Sequence, residues 1–143
     1  MLESQPVNIS SNNTNIRIEF CISGDSFRLS EISNTLNLTP KFSWSKGEQI
    51  AKSDRKHIDT CWIYSTEVQE TLDASLQLKQ ILTQFAAKES ILHDLKNKYN
   101  LDFSIDLVVV IENGDCPSIY FDSEIIAFAN RIDATIDIDM YVN

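Results

Sequence analysis

The sequence is poor in the residue types that most often carry chemistry. Its 143 residues include three cysteines and two histidines. Cys21, Cys61 and Cys116 lack metal-ligand spacing, which argues against a disulfide framework or a zinc site, and we expect them to be small buried hydrophobic residues. Neither His57 nor His93 lies in a nucleophile elbow or a metal-binding helix motif. We therefore expect no metal and no cofactor, and the sequence favours a non-catalytic protein.

Long apolar runs are absent as well. No stretch approaches the ~20 consecutive apolar residues that span a bilayer, so we expect no membrane contact. Residues 1–14 have neither a basic segment nor an apolar run, which predicts no secretory signal and hence a cytoplasmic protein. The same residues are rich in Asn and Ser without periodicity, and we interpret them as a flexible tail. Residues 15–143 are then expected to form a single α+β domain.

Positive charge is scarce and unevenly placed. The formal net charge is −9, and residues 101–143 contribute −8 of it, whereas residues 41–58 carry +3. A surface this acidic repels polyanions and attracts basic proteins. We therefore expect no nucleic-acid binding and, if there is a partner, a basic protein.

The strongest periodic signal is the stretch LDFSIDLVVVI, residues 101–111. Apolar residues alternate along it, namely Leu101, Phe103, Ile105, Leu107, Val109 and Ile111. This period of two is typical of a strand, and from Leu107 onward both of its faces are apolar. The pattern predicts a central strand in which Leu107 and Val109 are almost fully buried.

The remaining patterns complete an α+β order. Further strands are predicted at residues 16–22, 60–65, 118–121 and 135–142, and helices at about 30–36, 74–85, 90–99 and 123–132. The fold class is therefore α+β, with a mostly antiparallel five-stranded sheet and helices packed on one face, ferredoxin-like in spirit. Asn113-Gly114 predicts a hairpin turn, and Ser123 is expected to cap the last helix. In the closing strand the expected inward residues are Ile136, Ile138, Met140 and Val142.

Residues 39–59, TPKFSWSKGEQIAKSDRKHID, fit no regular element, and we call this segment the Trp44 loop. Basic residues interleaved with aromatics can bind phosphate or single-stranded nucleic acid by charge and stacking. The alternative, which we favour, is that Phe42 and Trp44 pack against the domain while the bases stay in solvent. Lys46-Gly47 lacks the glycine-rich run of a phosphate-binding loop. Trp44, Lys46 and Trp62 are the candidate binding residues here.

Acidic residues form the second candidate site. If the closing strand lies beside the 101–111 strand, one polar face holds Asp102, Asp106, Asp137 and Asp139 together with Arg17 and Glu19. Clustered carboxylates can bind a hard cation. The alternative, again favoured, is a solvated face with modest ion pairs. Asp137, Asp139 and Tyr141 complete the candidate binding residues, and no metal ligand is assigned.

Four short segments together resemble a known family. They are Ile22-Ser23-Gly24-Asp25, the Trp44-Ser45-Lys46-Gly47 turn, the Trp62 strand, and the closing run from Ile136 to Tyr141. In these segments the chain resembles a bacterial family of unknown function, domain-of-unknown-function family 4279, over roughly residues 16–142. The resemblance implies a small bacterial cytosolic protein and supplies no reaction.

Two functional hypotheses follow. The first is a non-catalytic interaction module that holds a basic partner, for example an immunity-type protein that neutralises a basic toxin. The second is a ligand-binding or enzymatic domain whose site lies between the Trp44 loop and the sheet. A pocket lined by Trp44, Trp62 and Lys46 would favour the second.

Overall fold

The computed structural model describes residues 12–143. Its strands are β1 (Asn15–Gly24), β2 (Phe42–Trp44), β3 (Thr60–Ser65), β4 (Gln69–Glu70), β5 (Asp102–Ile111) and β6 (Ala134–Val142). Its α-helices are α1 (Leu29–Leu36), α2 (Ser75–Phe85), α3 (Glu89–Tyr99) and α4 (Ser123–Arg131), with a 3₁₀ turn at Ala86–Lys88 between α2 and α3. The predicted tail, residues 1–14, lies outside the described residues except for its last three positions, of which Thr14 is buried.

The sheet runs in the order β2-β3-β1-β5-β6, and the two-residue β4 adds to β1. All described pairings of named strands are antiparallel except that of β5 with β6, which is parallel. The parallel pair arises because α4 connects β5 to β6 and carries the chain back to the starting end of β5. The prediction of an α+β fold with a mostly antiparallel sheet is confirmed.

The ladder between β1 and β5 forms the middle of the sheet. It pairs β1 with β5 from Asn15 opposite Val110 to Ser23 opposite Asp102. β5 also pairs with β6 on its other side, so it is an interior strand as predicted. Leu107 and Val109 are both 0% exposed, which confirms the predicted burial of this strand.

The described helices pack on one face of the sheet, as predicted. Their buried hydrophobic residues are Ile32 and Leu36 of α1, Leu78, Ile81, Leu82 and Phe85 of α2, Leu92 and Leu95 of α3, and Ile125, Phe128 and Ala129 of α4. They join one hydrophobic cluster with the even-numbered residues of β1 and the odd-numbered residues of β5. At its centre the rings of Phe20 and Phe85 stack with centroids 4.1 Å apart.

The hairpin predicted after β5 does not form. Asn113 and Gly114 do make a turn, with positive φ angles of 56° and 72°. Ser118, however, makes only an isolated bridge to Asp73, and residues 119–121 belong to no strand. The prediction of a strand at 118–121 was wrong because both edges of β5 are already taken by β1 and β6.

The Trp44 loop contains more regular structure than predicted. Phe42–Trp44 is a strand that pairs with the outer edge of β3, and Gln49 forms a bridge to Lys56 farther along. The prediction of no regular element was therefore wrong for residues 42–44. A three-residue strand is too short to show a period of two in sequence.

The closing strand is less covered than predicted. Ile136 packs against the core, but Ile138, Met140 and Val142 are 37%, 54% and 72% exposed. The nine residues of α4 span ~13 Å, whereas the nine residues of β6 span ~30 Å. The helix therefore covers only the start of the strand, and the inward assignment of the three later residues was wrong.

Two smaller expectations also fail. The side chain of Asp122, and not Ser123, caps α4 by accepting a hydrogen bond from the Ile125 amide at 3.0 Å. Cys21 and Cys61 are buried as expected, but Cys116 is exposed in the turn region after β5.

The burial of β5 makes a stability prediction. Leu107→Ala should lower the free energy of unfolding by about 2–5 kcal/mol, because it opens a cavity in a fully buried layer. Val142→Ala is the matched control at an exposed position and should change it by less than about 0.5 kcal/mol. Urea denaturation of the three proteins measures both values, and equal effects of the two substitutions would contradict the arrangement.

Candidate functional site

The face of the sheet opposite the helices brings the predicted acidic residues together. In one row across the strands, Glu19 lies opposite Asp106 and Asp106 lies opposite Asp137. In the next row, Val108 of β5 separates Arg17 from Asp139. The register therefore places the closing strand beside β5, which is the condition on which the acidic-face hypothesis depended.

A groove opens along this face, with a volume of about 820 Å³. We call it the acidic groove; its charged lining is Asp102, Asp106, Asp133, Asp137, Asp139 and Lys96, and Ser104, Thr135 and Tyr141 are among its uncharged members. Among residues 12–143, five carboxylates thus face one ammonium group in this groove. Lys96 itself lies 3.5 Å from Asp133 and 5.0 Å from the centroid of the Phe103 ring.

Beneath the groove, part of the acidic face is buried. Arg17 and Glu19 form an ion pair, with 3.5 Å between Nε and Oε2, and their side chains are 10% and 8% exposed. Asp106 accepts hydrogen bonds from the thiol of Cys21 at 3.2 Å and from the hydroxyl of Ser104. The expectation of a solvated face is therefore wrong for Arg17, Glu19 and Asp106, although it holds for Asp137.

Burial controls the ionisation of these groups. It raises the pKa of Asp106, an effect that the hydrogen bonds from Ser104 and Cys21 oppose and that Asp137 and Asp139 reinforce. Burial likewise raises the pKa of Glu19, and the Arg17 guanidinium opposes it. Partial burial and the charge of Asp137 raise the pKa of Asp139. The acidic groove therefore holds negative charge under mutual repulsion, which a positive group would relieve.

The two buried thiols are poor nucleophiles. Burial and the neighbouring carboxylates raise the pKa of Cys21 and of Cys61 far above the ordinary thiol value. Both groups stay protonated at neutral pH, and the thiolate is the reactive form of cysteine.

Three buried side chains have the composition of a metal site. The ligand atoms of Glu19, Cys21 and Asp106 lie within 4.8 Å of one another. The trio already has internal partners, since Cys21 donates to Asp106 and Arg17 pairs with Glu19. A cation entering here would face the Arg17 guanidinium and would have to displace the thiol proton.

The aromatic residues of the Trp44 loop pack and hold the loop against the sheet. Trp44 is buried, stacks on His57 with ring centroids 4.5 Å apart, and donates from Nε1 to Asp59 at 3.3 Å. Lys46 is exposed and pairs with Asp25 at 2.5 Å. This arrangement matches the alternative in which the aromatics pack and the bases remain in solvent.

The predicted binding residues do not all lie in one site. Trp62 lies in the core on the helix side of the sheet, where its Nε1 donates to Ser33 at 3.0 Å, whereas Trp44 lies in a small cluster on the opposite side. Trp44, Lys46 and Trp62 therefore do not line one pocket. Asp139 and Tyr141, with Asp137 beside them, do share the acidic groove.

Sequence reasoning missed two members of the acidic groove. Asp133 follows α4 with a positive φ of 55°, and Lys96 reaches the groove from α3. From 133 to 139 every second residue is an aspartate except Thr135, and this pattern could have placed Asp133 on the same face as Asp137 and Asp139. Nothing in the local sequence around Lys96 indicates that it approaches the closing strand. Within residues 12–143, no helix has both the length and the apolar character needed to cross a membrane.

An open, mostly antiparallel sheet with helices on one face and an acidic groove on the other defines a small α+β domain. The chain belongs to the family described as Domain of unknown function (DUF4279), whose model matches residues 14–143. The match covers nearly the whole chain and confirms the resemblance noted from its short motifs. Searches of curated proteins and of solved structures found no match.

The buried carboxyl of Asp106 predicts an unusual pH dependence. A group whose pKa is raised in the folded state binds its proton more tightly there than in the unfolded chain. Its contribution to stability therefore increases as the pH falls from above the raised pKa toward the ordinary value of 3.8. We expect this contribution to appear as the pH falls through the raised pKa of Asp106 toward 3.8, so that over this range acidification favours folding more in the parent than in Asp106→Asn.

Asp102→Asn is the matched control, because it removes a carboxylate from an exposed position of the same strand. Denaturant titrations at several pH values compare the two variants with the parent. An identical pH dependence in Asp106→Asn and the parent would show that Asp106 ionises normally.

Proposed function

We propose that the protein is a non-catalytic binding module whose acidic groove holds a basic protein. The observation that carries the proposal is the lining of the groove, in which five aspartates face one lysine. A concrete form is an immunity-type protein that neutralises a basic toxin in the cytoplasm of a bacterial cell.

The overall charge distribution supports this function. Residues 101–143 carry −8 of the net −9, and they include the strands and turns that form most of the acidic groove. Such a field accelerates the encounter with a basic partner and slows the approach of polyanions. A cation placed beside Asp139 would favour its ionised form, which partial burial and the charge of Asp137 disfavour.

The partner chemistry that fits best is an arginine- or lysine-bearing surface. Asp137 and Asp139 are two residues apart on one face of β6, so both carboxylates point into the groove. A guanidinium group can bridge two carboxylates or bind one of them through two parallel hydrogen bonds. We expect arginines of the partner to enter beside these residues.

The alternative function, a ligand or catalytic site between the Trp44 loop and the sheet, gains no support from the geometry. It requires Trp44 and Trp62 to line a common pocket, and their side chains lie on opposite faces of the sheet. The protonated state of Cys21 and Cys61 is consistent with a protein that performs no thiol chemistry.

The proposal predicts which charges matter for the partner. Asp137→Asn combined with Asp139→Asn should slow association by roughly tenfold at low salt, because steering depends on charges at the site of contact. Glu48→Gln combined with Asp54→Asn is the control, since it removes the same charge from the exposed Trp44 loop. The measurement has two stages: affinity capture from the native cell with all three proteins, then surface-bound association kinetics at increasing salt.

The outcomes separate charge at the groove from charge in general. The proposal expects a partner that the parent and the loop control retain and the groove variant loses, with an association rate that falls as salt is added. A partner that all three proteins bind with the same rate at every salt concentration would contradict it.

Nucleic acid is the partner that the proposal excludes. We expect no measurable binding to duplex DNA at physiological salt, because the +3 of residues 41–58 is small beside the number of phosphate contacts that DNA-binding proteins make. Fluorescence anisotropy with a labelled duplex tests this. Tight, salt-sensitive binding that disappears in Lys46→Gln combined with Lys52→Gln would show that the Trp44 loop is the functional surface.

A further inference from the structure

The last strand of the sheet leaves one edge open. β6 is nine residues long and stands at the end of the strand order, and among residues 12–143 no strand pairs with its outer side. The amide of Ile138 donates to the side chain of Asp137 at 3.0 Å, whereas the amide of Asn143 donates to Ile111 of β5 at 3.0 Å. Because hydrogen-bonding directions alternate along a strand, the even-numbered amides of β6 point outward.

The two faces of this open strand differ in chemistry. On the helix side, Ile138, Met140 and Val142 become progressively more exposed beyond the reach of α4. On the other side, Asp137 and Asp139 line the acidic groove. An apolar residue and an acidic residue therefore alternate along the exposed half of β6.

A strand added to this edge would meet both faces at once. Its side chains would alternate between the two faces with the same period of two, so each face selects its own class of residue. The side chains beside Ile138 and Met140 would have to be apolar, and those beside Asp137 and Asp139 would have to be basic. Edge addition of this kind gains affinity from main-chain hydrogen bonds and specificity from alternate side chains.

We propose that the basic partner binds as an added β-strand on the outer edge of β6, through an extended segment in which basic and apolar residues alternate. The inference rests on the proposed function and specifies how the partner is held. Charge complementarity to Asp137 and Asp139 identifies the basic positions, and the uncovered apolar side chains identify the others.

One register in which a second copy of the chain could pair with this edge is disfavoured by charge. In an antiparallel pair of two β6 strands centred on Ile138, Asp137 of each copy lies directly opposite Asp139 of the other. Like charges at directly opposite positions destabilise a strand pair. The same two aspartates that attract a basic strand therefore disfavour pairing of β6 with itself in this register.

The test uses two synthetic peptides of identical composition. One is a nine-residue peptide in which lysine and valine alternate, and the other has the same residues in two blocks. We expect the alternating peptide to bind the full chain at least about tenfold more tightly by fluorescence anisotropy, because only it satisfies both faces of β6. It should also slow hydrogen exchange at the outward amide of Met140.

Two variants of Met140 test the backbone contribution. Met140→Pro removes an outward amide from an edge strand, where proline is tolerated. It should weaken the binding of the alternating peptide by at least about tenfold. Met140→Val keeps the amide and the apolar character and should bind like the parent. Circular dichroism and urea denaturation establish that each variant is folded before binding is measured.

The outcomes distinguish this inference from the proposed function. Equal binding of the two peptides, or failure of the alternating peptide to bind, overturns the added strand. If the native partner is then still lost in the Asp137→Asn, Asp139→Asn variant, the acidic groove keeps its proposed function without strand addition. A parent protein that is dimeric in solution, and monomeric as Met140→Pro, would also overturn the inference, because a second copy would then occupy the edge.

Discussion

The pairing of β1 with β5 is the constraint on which the rest of the structure depends. Nine consecutive residue pairs are matched across this ladder. The two side chains of each pair lie on the same face, and successive pairs alternate between the helix face and the polar face. The helix face buries Ile18, Phe20 and Leu107 under the helical layer. The polar face brings Glu19 next to Asp106. A slip of one residue would exchange the two faces, so the core and the acidic groove depend on the same register.

The buried charged residues of the polar face are stabilised by one another and by neighbouring hydrogen-bond donors. Arg17 and Glu19 compensate one another, and Asp106 is held by hydrogen bonds from Ser104 and Cys21. One negative charge in excess remains near the floor of the groove whenever Asp106 is ionised. The carboxylates of Asp137 and Asp139 on β6 add to it, which makes this end of the sheet a stronger attractor for cations than its exposed residues alone would be.

The parts of the fold that sequence predicts well are those set by periodicity. The alternation in residues 101–111 was long enough to identify β5, and the helical spacing of the buried residues identified the helices. Alternation shows which way a side chain points but not whether anything covers it, which is why the exposure of Met140 and Val142 could not be foreseen.

The sequence pattern also does not show which strand edges are free to pair. Phe42–Trp44 became a strand because β3 had a free edge, and residues 118–121 did not because β5 had none. The separation of Trp44 from Trp62 follows from that pairing and could not be read from either residue alone.

The open edge of β6 affects how the protein behaves at high concentration. An open strand edge is a template for uncontrolled stacking of chains, and natural sheets protect such edges with charge. Here the protection depends on ionised aspartates, one of which, Asp139, has a raised pKa. The raised pKa means that Asp139 is protonated at a higher pH than an ordinary aspartate, and its protonation weakens the repulsion between strand edges while the apolar side of β6 stays exposed. We therefore expect this edge to resist self-association best at a pH where Asp139 is ionised and at modest salt.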